Sequence, residues 1–159
     1  MLYAGYRTGL AFWRGNPDAD PGSFERGEPF VGVPRRASEI ILDDASSIFL
    51  NSFDMPDLLV PSKEYRCRPR HYAYSEYSGE LPGRSFVRVA DQLCVPSPEM
   101  CFALAARTVQ LEELMELGNE LCGSYSRPTV AGQGDIVQRK GPLATPDSIR
   151  ELLSCCEGR

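Results

Sequence analysis

At 159 residues the chain is long enough to bury one real core, and its formal charge of −5, with a pI near 5.0, argues against unspecific binding of nucleic acid by the molecule as a whole. With 42% hydrophobic and 25% charged residues it has the make-up of a globular domain, and no apolar run approaches the ~20 residues of a membrane span. Residues 1–14 are broken by Gly5, Arg7, Gly9 and Arg14 and lack the apolar core of a signal peptide, so a cytoplasmic protein without membrane contact is expected.

Taken in chain order, residues 1–14 mix Leu2, Tyr3, Tyr6, Leu10, Phe12 and Trp13, the pattern of a short helix that docks its aromatics into a core. Residues 15–36 carry Pro17, Pro21, Pro29 and Pro34 with several glycines and read as an exposed, mobile loop. Residues 38–53 place Ile40, Ile41, Leu42, Ala45, Ile48 and Phe49 at helical spacing, with Ser38 as the cap. From 57 to 96 the chain is β-rich. Residues 58–60 form a short apolar strand, 70–77 alternate through Tyr72, Tyr74 and Tyr77, and 85–90 pair with 92–95 as a hairpin around Asp91.

Next comes the best-marked helix pair. Ser97 can take an orphaned amide of a first helical turn, Pro98 suits the position where no N–H is needed, and Glu99 faces the positive end of the helix dipole. Residues 100–106 are almost wholly apolar, predicting a helix buried on most faces. A second helix begins at Thr108 or Gln110. Its stripe is Leu111, Leu114, Met115, Leu117, Leu121 and Cys122, with Glu112, Glu113, Glu116 and Glu120 mostly outside it and Gly123 as a left-handed stop. Residues 124–141 are polar and irregular. Thr145-Pro146-Asp147 repeats the capping logic and opens a last helix through Ile149, Leu152 and Leu153. The fold class expected is α+β: a single domain over 1–159 whose small, mainly antiparallel sheet packs against a helical hairpin and flanking helices.

Catalytic and metal chemistry find little support. The six cysteines include no C-x-x-C pair, the single histidine is His71, and neither zinc nor any other cofactor is expected. Without a secretion signal the cysteines read as free thiols. Arg68 and Arg70 beside His71 disfavour an imidazolium at a nucleophile's base, so a non-enzyme is the expectation. Gly132 and Gly134 lack the third glycine and following helix of a phosphate-binding loop. One local feature carries a binding hypothesis: Lys63, Arg66, Arg68, Arg70, Arg84 and Arg88 fall within 26 residues, interleaved with Tyr72 and Tyr74. Guanidinium groups pair with phosphates and tyrosine rings stack on bases, so these residues are the candidate nucleic-acid surface. The plainer reading is a solvated hairpin face offset by Glu64, Glu76 and Glu80. The alternative is a protein partner that engages Glu112, Glu113, Glu116 and Glu120 or the aromatic N-terminus.

The run Leu93-Cys94-Val95-Pro96-Ser97-Pro98-Glu99, with residues 102–106 and 111–123, resembles the central part of AbiEi-type antitoxins. It is similar also to bacterial proteins ending in a Vsr-like endonuclease domain, whose preceding segment Gly141-Pro142-Leu143-Ala144-Thr145 and Ile149, Leu152 and Leu153 resemble. The likeness spans residues 93–125 and 141–153. It implies a non-catalytic accessory or nucleic-acid-recognition module, an endonuclease domain following position 159, or a cognate toxin as partner. The winged helix common at the N-terminus of such proteins has no counterpart in 1–36. The acidic and lysine residues that hold a nuclease's metal are also missing, since Asp57 and Asp135 lack the second acid.

Overall fold

The computed structural model describes residues 1–67, 71–128 and 134–156, and it opens on a strand where the aromatic pattern predicts a helix. Leu2–Tyr3 (β1) is extended, and helix α1 (Tyr6–Gly15) starts only after Gly5. Pairing is the reason. The Leu2 and Ala4 amides donate to the Gln92 and Cys94 carbonyls, both at 2.8 Å, so the first residues complete a sheet before the helix turns away.

Helix α2 (Asp44–Asn51) is shorter than the 38–53 pattern predicts, and its cap is Asp43 rather than Ser38. One Asp43 oxygen accepts from the Ser46 amide at 2.9 Å and the other from the Gln92 amide at 3.0 Å. A helix running back to residue 38 would draw Asp43 into its interior and away from Gln92, so this carboxylate decides where the helix begins.

Strands β2 (Asp57–Val60), β3 (Ala73–Glu76), β4 (Phe86–Ala90) and β5 (Leu93–Pro96) follow. The hairpin read around Asp91 is present, antiparallel, with Val87 opposite Val95. On the other side of β5 lies β1, parallel to it, while β2 and β3 pair parallel with Leu58 opposite Tyr74. An antiparallel bridge between Ala4 and Leu58 joins the two sheets, so the strands succeed one another as β4, β5, β1, β2, β3. Arg26 bridges Val87 on the outer edge of β4, and the 15–36 loop that carries it is held rather than free. Phe24 meets Trp13 edge-on at 5.8 Å and Phe30 meets Tyr3 at 5.3 Å, so aromatic packing outweighs the loop's proline and glycine content.

Helix α3 (Pro98–Ala105) is capped as its sequence predicts, the Met100 amide donating to Ser97 Oγ at 3.2 Å. Its partner α4 (Leu111–Cys122) ends differently from the prediction. Gly123 is extended, with φ −91° and ψ 173°, because Arg139 reaches back to the end of the helix. The Arg139 guanidinium donates to the Glu120 carbonyl and, at 3.0 Å, to that of Gly123. A side chain from elsewhere thus satisfies carbonyls that a left-handed glycine would otherwise have helped to pair. Arg139 is brought there by a small antiparallel ribbon of β6 (Tyr125–Ser126) and β7 (Val137–Gln138), so the 124–141 segment is not wholly irregular.

The last helix, α5 (Pro146–Cys156), has a reciprocal start: the Ser148 amide donates to Thr145 Oγ1 and the Thr145 amide to Ser148 Oγ, both at 3.0 Å. Trp13, Val95, Cys101, Ala105, Leu117, Leu121 and Ile149 meet in one cluster that ties α1, β5, α3, α4 and α5 together. The architecture is α+β: among the described residues, five α-helices pack on and around a small mixed sheet. None of these helices is long and apolar enough to cross a membrane.

Candidate binding groove

Among the described residues, the basic side chains singled out in the sequence fall in two places. Lys63 is exposed in a short turn before Arg66, and Arg66 pairs with Glu76 of β3 at 2.5 Å. Arg88 lies on β4, between Glu25 at 3.6 Å and Asp91 at 3.8 Å, and Arg84 is exposed just before that strand. β3 and β4 belong to separate sheets. Arg68 and Arg70 lie outside the described residues. Tyr72 and Tyr74 lean on Leu2, Leu50, Leu58 and Leu93. Burial pushes the Tyr74 phenol well above its ordinary pKa, and its buried oxygen has no hydrogen-bond partner among the described residues.

The acidic residues of α4 divide in an unexpected way. Glu120, read as lying mostly outside the apolar stripe, is 1% exposed, whereas Leu111 and Met115 are 67% and 61% exposed. The stripe is rotated because Glu120 has a partner on α1. Arg14 Nε donates to Glu120 Oε1 at 2.9 Å and Nη2 to Oε2 at 2.7 Å, and the Arg127 amide adds a third bond to Oε1 at 3.0 Å. Burial by itself would raise the Glu120 carboxyl; the hydrogen bonds and charges of Arg14 and Arg127 outweigh it and hold the group below its ordinary value. Its helical position between Leu117 and Leu121 was the one signal in the sequence that could have placed Glu120 inside.

Arg14 of this pair lines a groove of about 640 Å³ between α1 and α4. Tyr6, Leu10, Val109 and Leu117 give it an apolar lining, while Glu113 and Glu116 supply a carboxylate wall. Arg127 closes onto Glu116 at 2.8 Å, and Ile136, 67% exposed, stands near the far rim. The volume falls in the range of small-molecule and peptide-anchor sites, about 300–1,000 Å³.

A second depression of about 240 Å³ shares Tyr6 with the first. Here Asp57 of β2 lies over the start of α1, where the cap residue Gly5 has no side chain to offer. Its carboxyl accepts from Ser75 Oγ at 2.9 Å and from the Arg7 amide. Burial raises its pKa despite those bonds. A Cβ on Gly5 would come within 2.0 Å of the Asp57 carboxylate, so only glycine leaves room for this cap supplied from another element. Across the depression the Arg107 guanidinium lies 4.9 Å from the centre of the Tyr77 ring.

Ser75 and Asp57 are the hydroxyl and carboxylate that meet in the second depression. His71 is exposed, and among the described residues no three His, Cys, Asp or Glu side chains are grouped to hold a metal ion. Burial raises the Cys94 thiol to about 11 and the fully enclosed Cys101 further still, the opposite of what a reactive thiolate needs. Compared with known protein families, curated proteins and solved structures, the chain matches none.

Proposed function

We propose that this chain is a non-catalytic recognition module that binds a segment of a partner protein in the groove between α1 and α4. The observation that carries the reading is the apolar lining of Tyr6, Leu10, Val109 and Leu117, between two helices joined by the Arg14–Glu120 pair. Apolar surface kept accessible beside a rigid charged wall suits an anchor side chain, with specificity read by the rim. A partner such as a cognate toxin agrees with the resemblance of residues 93–125 to antitoxin-like proteins. The nucleic-acid reading has less support: Arg66 and Arg88 are each engaged by carboxylates and lie on different elements, within an acidic molecule.

The test is selection of a displayed library of short random peptides against the immobilised chain, followed by amide NMR mapping of an enriched peptide. Shifts centred on Tyr6, Leu10, Val109 and Glu113, abolished in Val109→Arg, are the expected result. No enrichment, or shifts confined to other surfaces, would overturn the reading. Salt-sensitive binding of labelled duplex DNA or RNA, lost in a Lys63→Ala, Arg66→Ala variant, would replace it with a phosphate-binding role.

A further inference from the structure

Resting on the groove reading above, we infer that the bound segment is dipolar: an apolar anchor and a lysine or arginine occupy the first depression, and an aspartate or glutamate occupies the second. The charges of the two depressions account for themselves almost completely. Arg14 is matched by Glu120, Arg127 by Glu116 and Glu76 by Arg66. Asp57 is taken up by the Ser75 hydroxyl and the Arg7 amide. Two charges are left without an ion-pair partner among the described residues, Glu113 in the first depression and Arg107 in the second.

These two are of opposite sign, and both belong to the stretch that leaves α3 and enters α4. Arg107, Thr108 and Val109 are consecutive; the first two border the second depression and the third the first. Tyr6 borders both, so the two hollows form one trough with a tyrosine at its waist. A segment laid along this trough meets an apolar lining and a free carboxylate on one side of Tyr6, and a free guanidinium on the other. A chain of uniform charge would be repelled at one of the two ends, so the pair discriminates among partners as well as attracting one. Arg107 is already held over the Tyr77 ring, which limits the side-chain freedom lost on binding.

The experiment uses the same peptide selection on the full chain and on charge-reversed variants. Both residues are on the surface, so Glu113→Lys and Arg107→Glu leave the core untouched. Peptides enriched on the wild-type chain are expected to carry an apolar residue with a basic group on one side and an acidic group on the other. Each single variant weakens such a peptide about three- to fivefold, the scale of one partly exposed charge pair. The double variant recovers binding of a synthetic peptide with its two charges exchanged. Enriched peptides that lack this polarity, yet shift the amides around Leu10 and Val109, would overturn the dipolar segment and leave the groove reading standing. Peptides that shift neither depression would overturn both. A concentration-dependent dimer in sedimentation that is lost in Val109→Arg would also overturn the inference, by making a second copy the occupant.

Discussion

Arg14 and Glu120, 106 positions apart in the chain, form a two-pronged ion pair in which the carboxylate is 1% exposed. Desolvating two charges costs several kcal/mol, and the pair offsets that cost only while both members and their hydrogen bonds are present. Replacing one leaves the other buried and unmatched. Glu120→Gln and Arg14→Met are each expected to cost about 3 kcal/mol in urea unfolding, with Arg14→Met at the lower end because that side chain is 20% exposed. The double variant should cost less than the sum of the singles. Strict additivity would mean that the two residues stabilise the fold independently.

Glu120 also sets a pH dependence. Its carboxyl is held below the ordinary value in the folded state, so the folded chain binds a proton less readily than the unfolded one. The stability this contributes is present above about pH 4.5, the ordinary glutamate value, and is lost as pH falls through the lower folded value. Asp57 runs the other way: burial raises its pKa, so its contribution favours folding at low pH and is lost as pH rises from about 3.9 through the raised value. The urea midpoint of Glu120→Gln should therefore fall less steeply on acidification than that of the wild type. Asp57→Asn should gain on the wild type as pH rises over the same range. Parallel pH profiles in the three proteins would contradict both assignments.

How much of this was legible in the sequence depends on how far each signal reaches. The Ser97 and Thr145 caps, the Asp91 hairpin and the α3–α4 pair were visible because their deciding residues are neighbours. The start of α2 was not, because Asp43 answers to Gln92 on another element as well as to Ser46. Strand β1 escaped because two residues carry no periodicity, and only their amides' partners across the fold make them a strand. Glu120 was placed on the wrong side of its helix for the same reason: residue type said outside, while a partner 106 positions away decided otherwise. The groove itself, built from α1 and α4, has no local signature at all.

The packing of α1 on the sheet rests on Gly9. A Cβ there would come 2.4 Å from Cγ of Pro96, at the end of β5, and the ring is held in a buried setting beneath Trp13, whose Nε1 donates to the Pro96 carbonyl at 2.9 Å. The helix would have to lift for alanine to fit, so Gly9→Ala is expected to cost about 1–3 kcal/mol despite alanine's better helix propensity. Gly15, in the same helix, has nothing within 4 Å of the added Cβ. There the same change should be neutral or stabilise by a few tenths of a kcal/mol up to about 1 kcal/mol. Thermal unfolding of the two variants side by side separates contact from propensity; equal effects would show that the approach to Pro96 does not limit the fold.

Arg139 sets two opposing terms against each other at the end of α4. Its guanidinium pairs the Glu120 and Gly123 carbonyls, bonds from a charged donor that contribute about 1.5–3 kcal/mol each. Against this, the residue is 4% exposed, its Nε and Nη1 have no hydrogen-bond partner among the described residues, and burial lowers its pKa. Arg139→Met removes the cost of burying the cation but strands carbonyls that Gly123, in its extended conformation, leaves to the arginine. The stranded carbonyls should prevail, giving a net loss of about 1–2 kcal/mol, with faster hydrogen exchange in the Leu143 and Ala144 amides that donate to the Leu121 carbonyl beside them. Arg139→Lys keeps the charge but gives up the planar fork and should fall between the two. A methionine variant as stable as the wild type would show that the desolvation of this arginine cancels its capping of α4.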